Sequence, residues 1–258
     1  MSKKIFFANS QQRYFAKIGL KSFDDFYNYR NGKFINKNTK RDVSILKVGQ
    51  NGEEKTFFLK RFHDPHFKDI AETLYSFGYL ISQACVEWKN AEYLLDHGIG
   101  AYRPVCFGVY KKWKMEKRSF IVTEKLDSIE FVDFLGQKWN SLAKSQQDRI
   151  ICAIAEEVGK IHKLKLIMPD FCVWHIFINH DCLESQPRFS IIDLHRMRHN
   201  VNSQSKRIKD LGRFCWSMNG KYFKDRDKKV FLEAYMSDNF ITDKEGFVNK
   251  VRKYEDTL

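Results

Sequence analysis

Ile167-Met168-Pro169-Asp170-Phe171-Cys172-Val173-Trp174-His175-Ile176-Phe177-Ile178-Asn179 is the stretch on which the fold turns. It opens with a break. Proline cannot continue a helix and biases the residue before it away from helical backbone. Upstream, Ile150, Ile154, Val158 and Ile161 recur at spacings of 4, 4 and 3. That is the apolar stripe of a long helix. Downstream, Ile176–Asn179 and Phe189–Ile192 read as two short strands joined by a polar turn around Asp181–Pro187. Asp170 sits in the break, His175 follows it by five residues, and Asp193 closes the second strand in Ser190-Ile191-Ile192-Asp193-Leu194-His195-Arg196. Helical patterns near 207–219, 227–236 and 243–254 complete this half.

The first half reads differently. Residues 1–30 are mixed and aromatic with weak periodicity. Arg41–Val48 alternates as a strand does, Gly49-Gln50-Asn51-Gly52 is a turn signal, and Thr56-Phe57-Phe58-Leu59-Lys60 is β-rich, which together spell a hairpin. Ala84, Trp88, Ala91 and Leu95 lie on one helical face over 84–97, with Gly98 as the C-terminal cap. Val105–Tyr110 and Ser119–Glu124 are two further strands around the polar tip Lys111–Arg118. A β-rich half with one helix thus precedes a helix-rich half. The expected class is α+β, in two lobes joined near Glu124–Asp127, residues 1–126 and 127–258.

The bulk properties exclude several classes. The aromatic content of 15% rules out a disordered chain, and 13 Gly with 4 Pro rule out collagenous or low-complexity sequence. No apolar run approaches the roughly 18 residues of a membrane span. Met1-Ser2-Lys3-Lys4-Ile5-Phe6-Phe7 turns polar at Asn9, so no signal-peptide core is expected. The six cysteines show no paired metal-ligand spacing and read as reduced thiols. His63/His66 and His175/His180 have no cysteine pair nearby to make a zinc site. Lys and Arg outnumber Asp and Glu 45 to 32, a net charge of +13. Such a surplus concentrates anionic partners without choosing among nucleic acid, a membrane surface, a phosphorylated substrate or an acidic protein.

The charged residues that stand out form an ordered set: Lys60 at a strand end, Glu87 on the next helix, Asp170 in the break, His175, and Asp193 after a strand. Phosphoryl transfer needs these types in this order. A lysine neutralises nucleotide phosphates and a helix glutamate holds it. An aspartate orients the acceptor hydroxyl and takes its proton. A later polar group and a second aspartate face magnesium. Each residue also has a plainer reading. Asp170 suits a turn cap, His175 suits a core histidine, and Glu92 competes with Glu87 for the lysine.

These segments resemble a known family. With Glu87-Trp88-Lys89-Asn90-Ala91 through His97-Gly98-Ile99, Ser119–Glu124, Asp170–Phe177, Ile192-Asp193-Leu194-His195-Arg196 and Lys209-Asp210-Leu211, the chain looks like the lipopolysaccharide core kinases. Within them it is similar to the heptose kinase branch of the Kdo/heptose kinase family, over most of residues 40–236. The resemblance implies a protein-kinase-like two-lobe fold and ATP-dependent phosphorylation of an inner-core heptose. It carries over Lys60 and Glu87 as the phosphate-binding pair, Asp170 as the base, and His175 and Asp193 as magnesium-side groups. Glu124 to Leu126 would be the hinge offering backbone groups to adenine, and Asp210 would anchor the catalytic loop.

Two departures stand beside it. Met168-Pro169 replaces the family's His-Arg, and only Asn31-Gly32 lies where a glycine-rich phosphate loop belongs. The expected setting is cytoplasmic, peripheral on the cytoplasmic face of the inner membrane. Its partners there would be lipopolysaccharide core or lipid-linked oligosaccharide, the anionic leaflet, and an acidic protein. An inactive kinase-fold binding module is the alternative the departures favour. A basic nucleic-acid-binding protein is a further one, in which the ordered set would be coincidence.

Overall fold

Strand alternation sorts the side chains of the first half between two faces, because successive residues of a strand point to opposite sides. The computed structural model describes residues 1–258 apart from 9–10, 38, 50–53, 66, 114, 180–185 and 219. The chain divides into two units, Met1–His97 with Tyr102–Lys125, and Gly98–Ala101 with Leu126–Leu258.

The first unit runs β1 (Ser2–Phe7), α1 (Gln11–Ala16), α2 (Phe23–Tyr27), β2 (Phe34–Lys37), β3 (Arg41–Val48), β4 (Lys55–His63), α3 (Phe67–Phe77), α4 (Gln83–Asp96), β5 (Pro104–Lys112) and β6 (Met115–Glu124). The strands form one antiparallel sheet in the order β1-β5-β6-β4-β3-β2. On one face, Leu46, Val48, Phe57, Leu59, Phe120 and Val122 pack with Phe15, Phe23, Phe26 and Tyr27 of the short helices α1 and α2. Stacked and tilted rings hold this layer, with Phe26 and Phe120 centroids 5.0 Å apart. The opposite face meets α4, where the Trp88 ring lies 5.3 Å from that of Phe107. Lys60, which follows Leu59, points to this second side.

The two strands and the helix read from sequence at 41–48, 56–60 and 84–97 are all present, β4 being longer at both ends. The turn expected at Gly49–Gly52 lies largely outside the described residues. The helix presents Ala84, Glu87, Ala91 and Leu94 inward, so its buried face is rotated from Trp88 and Leu95, which are half-buried. Its C-cap is His97, followed by Gly98 at φ +71°. Gly32 has a packing role: a Cβ there would lie 2.2 Å from the Ile45 carbonyl oxygen of β3.

At one end of the aromatic face the packing turns polar. Arg61 is wholly buried, bonding Asp42, the Ser44 hydroxyl at 3.3 Å and the Tyr29 carbonyl at 2.5 Å. His63 bonds the other Asp42 oxygen at 2.7 Å and the Tyr27 hydroxyl. Asp42 and Arg61 are direct cross-strand partners.

The second unit contains β7 (Ile129–Glu130), α5 (Phe131–Lys138), α6 (Lys144–Lys163), β8 (Ile176–Asn179), β9 (Arg188–Ile191), α7 (Gln204–Ser217), α8 (Asp225–Asp238) and α9 (Lys244–Glu255). β7, β8 and β9 form a small antiparallel sheet. The stripe Ile150, Ile154, Val158 and Ile161 is buried on α6, which packs on α8 while α7 packs on α9. Gly98–Ala101 belongs here because it lies along β9. The Ile191 amide bonds the Gly100 carbonyl at 2.9 Å, and a Cβ on Gly100 would meet the Phe189 carbonyl oxygen at 1.9 Å. The polar turn around 181–187 falls mostly outside the described residues.

Removing one partner of a buried ion pair strands the other charge. Asp42→Ala is therefore expected to cost about 3–5 kcal/mol of unfolding free energy. Urea titration followed by circular dichroism checks this, and a loss under about 1 kcal/mol would show that Arg61 finds other acceptors.

Candidate active site

Glu87 is 2% exposed, and a carboxylate so buried must be paired to remain charged. Its partners include two groups of the first unit. Lys60 Nζ of β4 bonds Oε1, and the Tyr102 hydroxyl donates to Oε2 at 3.0 Å. Glu92, the competing carboxylate, is exposed. Glu87 wins because β4 turns Lys60 toward the α4 face that carries it.

The start of α4 is fastened by side chains. Helix N-termini leave four amides without intrahelical acceptors. The Gln83 amide donates to Glu116 Oε2 at 2.9 Å, the Ala84 amide to Ser119 Oγ at 3.3 Å, and the Cys85 amide to Ser82 Oγ at 3.2 Å. Glu116 and Ser119 belong to β6, so the strand holds the helix that holds Lys60. Burial pushes the Glu116 carboxyl up to about 7, against the lowering effect of the Ser119 hydroxyl, the Gln83 amide and Lys111, while Asp69 adds to the rise. Sequence reasoning missed Glu116, which looks like any other charge of the Lys111–Arg118 tip, and it missed Tyr102, which carries no pattern at all.

In the second unit, Asp210 on α7 is 3% exposed and accepts the Met168 amide at 2.5 Å. His162 Nε2 lies 3.4 Å from the same carboxylate oxygen, and its Nδ1 lies 2.8 Å from the Tyr235 hydroxyl. A carboxylate only accepts, so Nε2 carries the hydrogen and Nδ1 accepts from Tyr235. Burial pushes the Tyr235 phenol up, so it keeps its proton. The Met168 contact uses main chain alone, so the loop is tied to α7 without the side chains of a His-Arg pair. Ile167 and Arg198 exchange backbone bonds at 3.1 and 3.0 Å on the other side of the loop.

Asp170 is half-buried, and its carboxylate meets Arg196 at 3.1 and 3.2 Å. Arg196 thus orients Asp170. His175 Nδ1 lies 2.8 Å from the Asp170 carbonyl oxygen, an acceptor, so Nδ1 carries the hydrogen. In the neutral ring the Nε2 lone pair then faces Asp193 Oδ2, 3.7 Å away. His195 Nδ1 donates to Asp193 Oδ1 at 2.8 Å. Asp193 itself is left-handed, φ 60° and ψ 54°, a conformation that costs a non-glycine residue about 1–3 kcal/mol and gathers at functional sites. A carboxylate oxygen and an oriented imidazole lone pair converge, which fits a divalent cation. The oxygen suits magnesium, whereas imidazole nitrogen suits softer ions better.

The remaining expected residues are Glu124 and Leu126. The Glu124 amide is committed to the Arg103 carbonyl at 2.9 Å, and the Lys125 amide to Thr56 at 3.1 Å. Neither amide is available for adenine.

The profile of the Lipopolysaccharide kinase (Kdo/WaaP) family matches residues 27–235. The chain belongs to this family. Lipopolysaccharide core heptose(I) kinase WaaP of Escherichia coli strain K12 is 28% identical over 187 residues, covering 70% of each chain. A second Escherichia coli WaaP is 28% identical over 193 residues, 71% of this chain and 73% of its own. A solved structure, WaaP in complex with acyl carrier protein, superposes with a TM-score of 0.71 at 20% identity, covering 98% of both chains. The fold is therefore the protein-kinase-like α+β one that the sequence led us to expect, and this Kdo/WaaP family member is a kinase by descent. Among the described residues its first unit carries three further helices, α1 to α3, beside the expected α4.

Glu116 yields a pH test. Its folded value lies above its ordinary 4.5, so the folded protein holds this proton more tightly than the unfolded chain does. The stability it contributes is present below that ordinary value and fades as pH rises through about 7. Urea midpoints at about pH 5 and about pH 8 should fall less in Glu116→Gln than in the parent. Equal falls would mean that Glu116 is ionised throughout.

Proposed function

We propose that this chain catalyses ATP-dependent phosphorylation of a heptose of the lipopolysaccharide inner core. The observation that carries the reading is the pairing of Lys60 with the buried Glu87 in a member of a lipopolysaccharide kinase family. A strand lysine held by a helix carboxylate supplies fixed positive charge to nucleotide phosphates. Tyr102, Glu116 and Ser119 keep that carboxylate in place. The two Escherichia coli relatives are heptose(I) kinases by name, which supports heptose as the acceptor.

In this reading Asp170 receives the proton of the acceptor hydroxyl and Arg196 fixes the direction of its carboxylate. Proton removal as the new O–P bond forms, and as the bond from the γ-phosphorus to the departing ADP breaks, makes the hydroxyl a better nucleophile. Asp193 and His175 would hold magnesium, which when bound shields phosphate charge. Adenine would be met by the Glu124 carbonyl and the Leu126 amide. Anchorage of Met168 through its amide favours an active loop over the inactive binding-module reading.

The charge of +13 supports work on the anionic cytoplasmic face of the inner membrane, where each nearby basic residue is worth about 1 kcal/mol. No helix among the described residues is long and apolar enough to cross a membrane, so attachment would be peripheral. An acidic protein partner suits the same surplus, and the solved relative is itself a complex with acyl carrier protein.

Phosphate transfer from ATP to purified core oligosaccharide, read by mass spectrometry, tests the assignment. Asp170→Asn should fold, bind ATP and lose about 10²–10⁴ in rate. Lys60→Ala should nearly abolish transfer and weaken ATP binding, and Asp193→Asn should remove the magnesium-dependent rate. Asp170→Asn within about threefold of the parent would take Asp170 out of the mechanism.

A further inference from the structure

Trp174 and Trp216 are 44% and 40% exposed, which is unusual for the largest side chain. Their rings meet edge to face, with centroids 6.0 Å apart at 78°. Trp174 lies four residues after Asp170, and its ring is 6.1 Å from that of His175, the residue bonded to the Asp170 carbonyl. The loop that carries it is fastened to α7. Phe171 stacks on Phe214 at 4.9 Å, and the Val173 amide donates to Ser217 Oγ at 3.0 Å. Trp216 is the next residue back along that helix. The two indoles are thus held together by their supports while each keeps 40% or more of its surface exposed.

Arg213 adds a charge. Its guanidinium lies 5.7 Å from the Trp216 ring centroid. No carboxylate pairs with Arg213 among the described residues. Burial pushes the Cys172 thiol up, and Arg213, lowering it, and Asp170, raising it, are both near enough to act on it. Aromatic faces, an unpaired guanidinium and a carboxylate therefore border one patch of the second unit.

Such a patch suits one ligand chemistry. A pyranose ring presents C–H edges of slight positive charge, which match the negative face of an indole. An unpaired guanidinium matches sugar hydroxyls and the phosphates or carboxylates of an acidic saccharide. We propose that Trp174, Trp216 and Arg213 form the acceptor subsite, seating a pyranose of an anionic core oligosaccharide beside Asp170. This rests on the reading of Asp170 as the base of a sugar kinase.

Calorimetric titration with lipid-free core oligosaccharide tests the subsite without turnover. Trp174→Ala and Trp216→Ala should each weaken binding about tenfold, while Trp174→Phe, which keeps an aromatic face, stays within about threefold. Both indoles are exposed, so melting curves should match the parent's and exclude unfolding. Unchanged affinity in the alanine variants, or no binding by the parent, overturns the proposal. Alanine variants that bind the saccharide normally but lose anionic phospholipid vesicles would assign the face to the membrane and overturn it too. Parent protein that binds the saccharide through these indoles yet transfers no phosphate would leave the subsite standing and remove the kinase reading.

Discussion

The phase of β4 is the constraint on which the first unit depends. Leu59 must enter the aromatic layer with Phe57, and Lys60 must then face α4. A slip of one residue would reverse both, placing an ammonium among Phe15, Phe26 and Phe120. Arg61 guards against that slip. It opposes Asp42 across the strands, and any other register would leave two buried charges apart. One charged pair, Arg61–Asp42, thus secures the phase of another, Lys60–Glu87.

Both units solve the same problem in similar ways. Each must hold a functional group on a segment that has no reason of its own to stay there. In the first, β6 side chains grip the amides that open α4. In the second, Asp210 grips the amide before Pro169. The acceptors, the Glu116 carboxyl and Ser119 hydroxyl in the first unit and the Asp210 carboxylate in the second, are all buried, and hydrogen bonds away from water are the stronger for it.

Much of this was legible in advance where periodicity or order carried it. The alternation of Arg41–Val48, the stripe on α6 and the succession Lys60, Glu87, Asp170, His175, Asp193 all appear as spacing. The rotation of α4 was not legible, because Trp88 and Leu95 look more apolar than Glu87 until Lys60 is placed opposite it. Edge strands β1 and β2 and the short helices α1 and α2 were missed for a different reason. Each is too brief for a period to emerge, and each is held by tertiary contact rather than by propensity. The pairing of Arg196 with Asp170 was not legible either, since sequence distance says nothing of which partner a long side chain reaches.

The bond from the Met168 amide to Asp210 also bears on how this chain has diverged. A contact accepted from main chain imposes no demand on the side chain of the residue that donates it, provided that residue is not proline. Mutational drift at such a position is therefore nearly free, while the buried acceptor remains under constraint. Geometry of this kind outlasts the letters of a motif. This chain aligns with a solved relative over 98% of its length at 20% identity, and its own loop is held through an atom of the peptide unit.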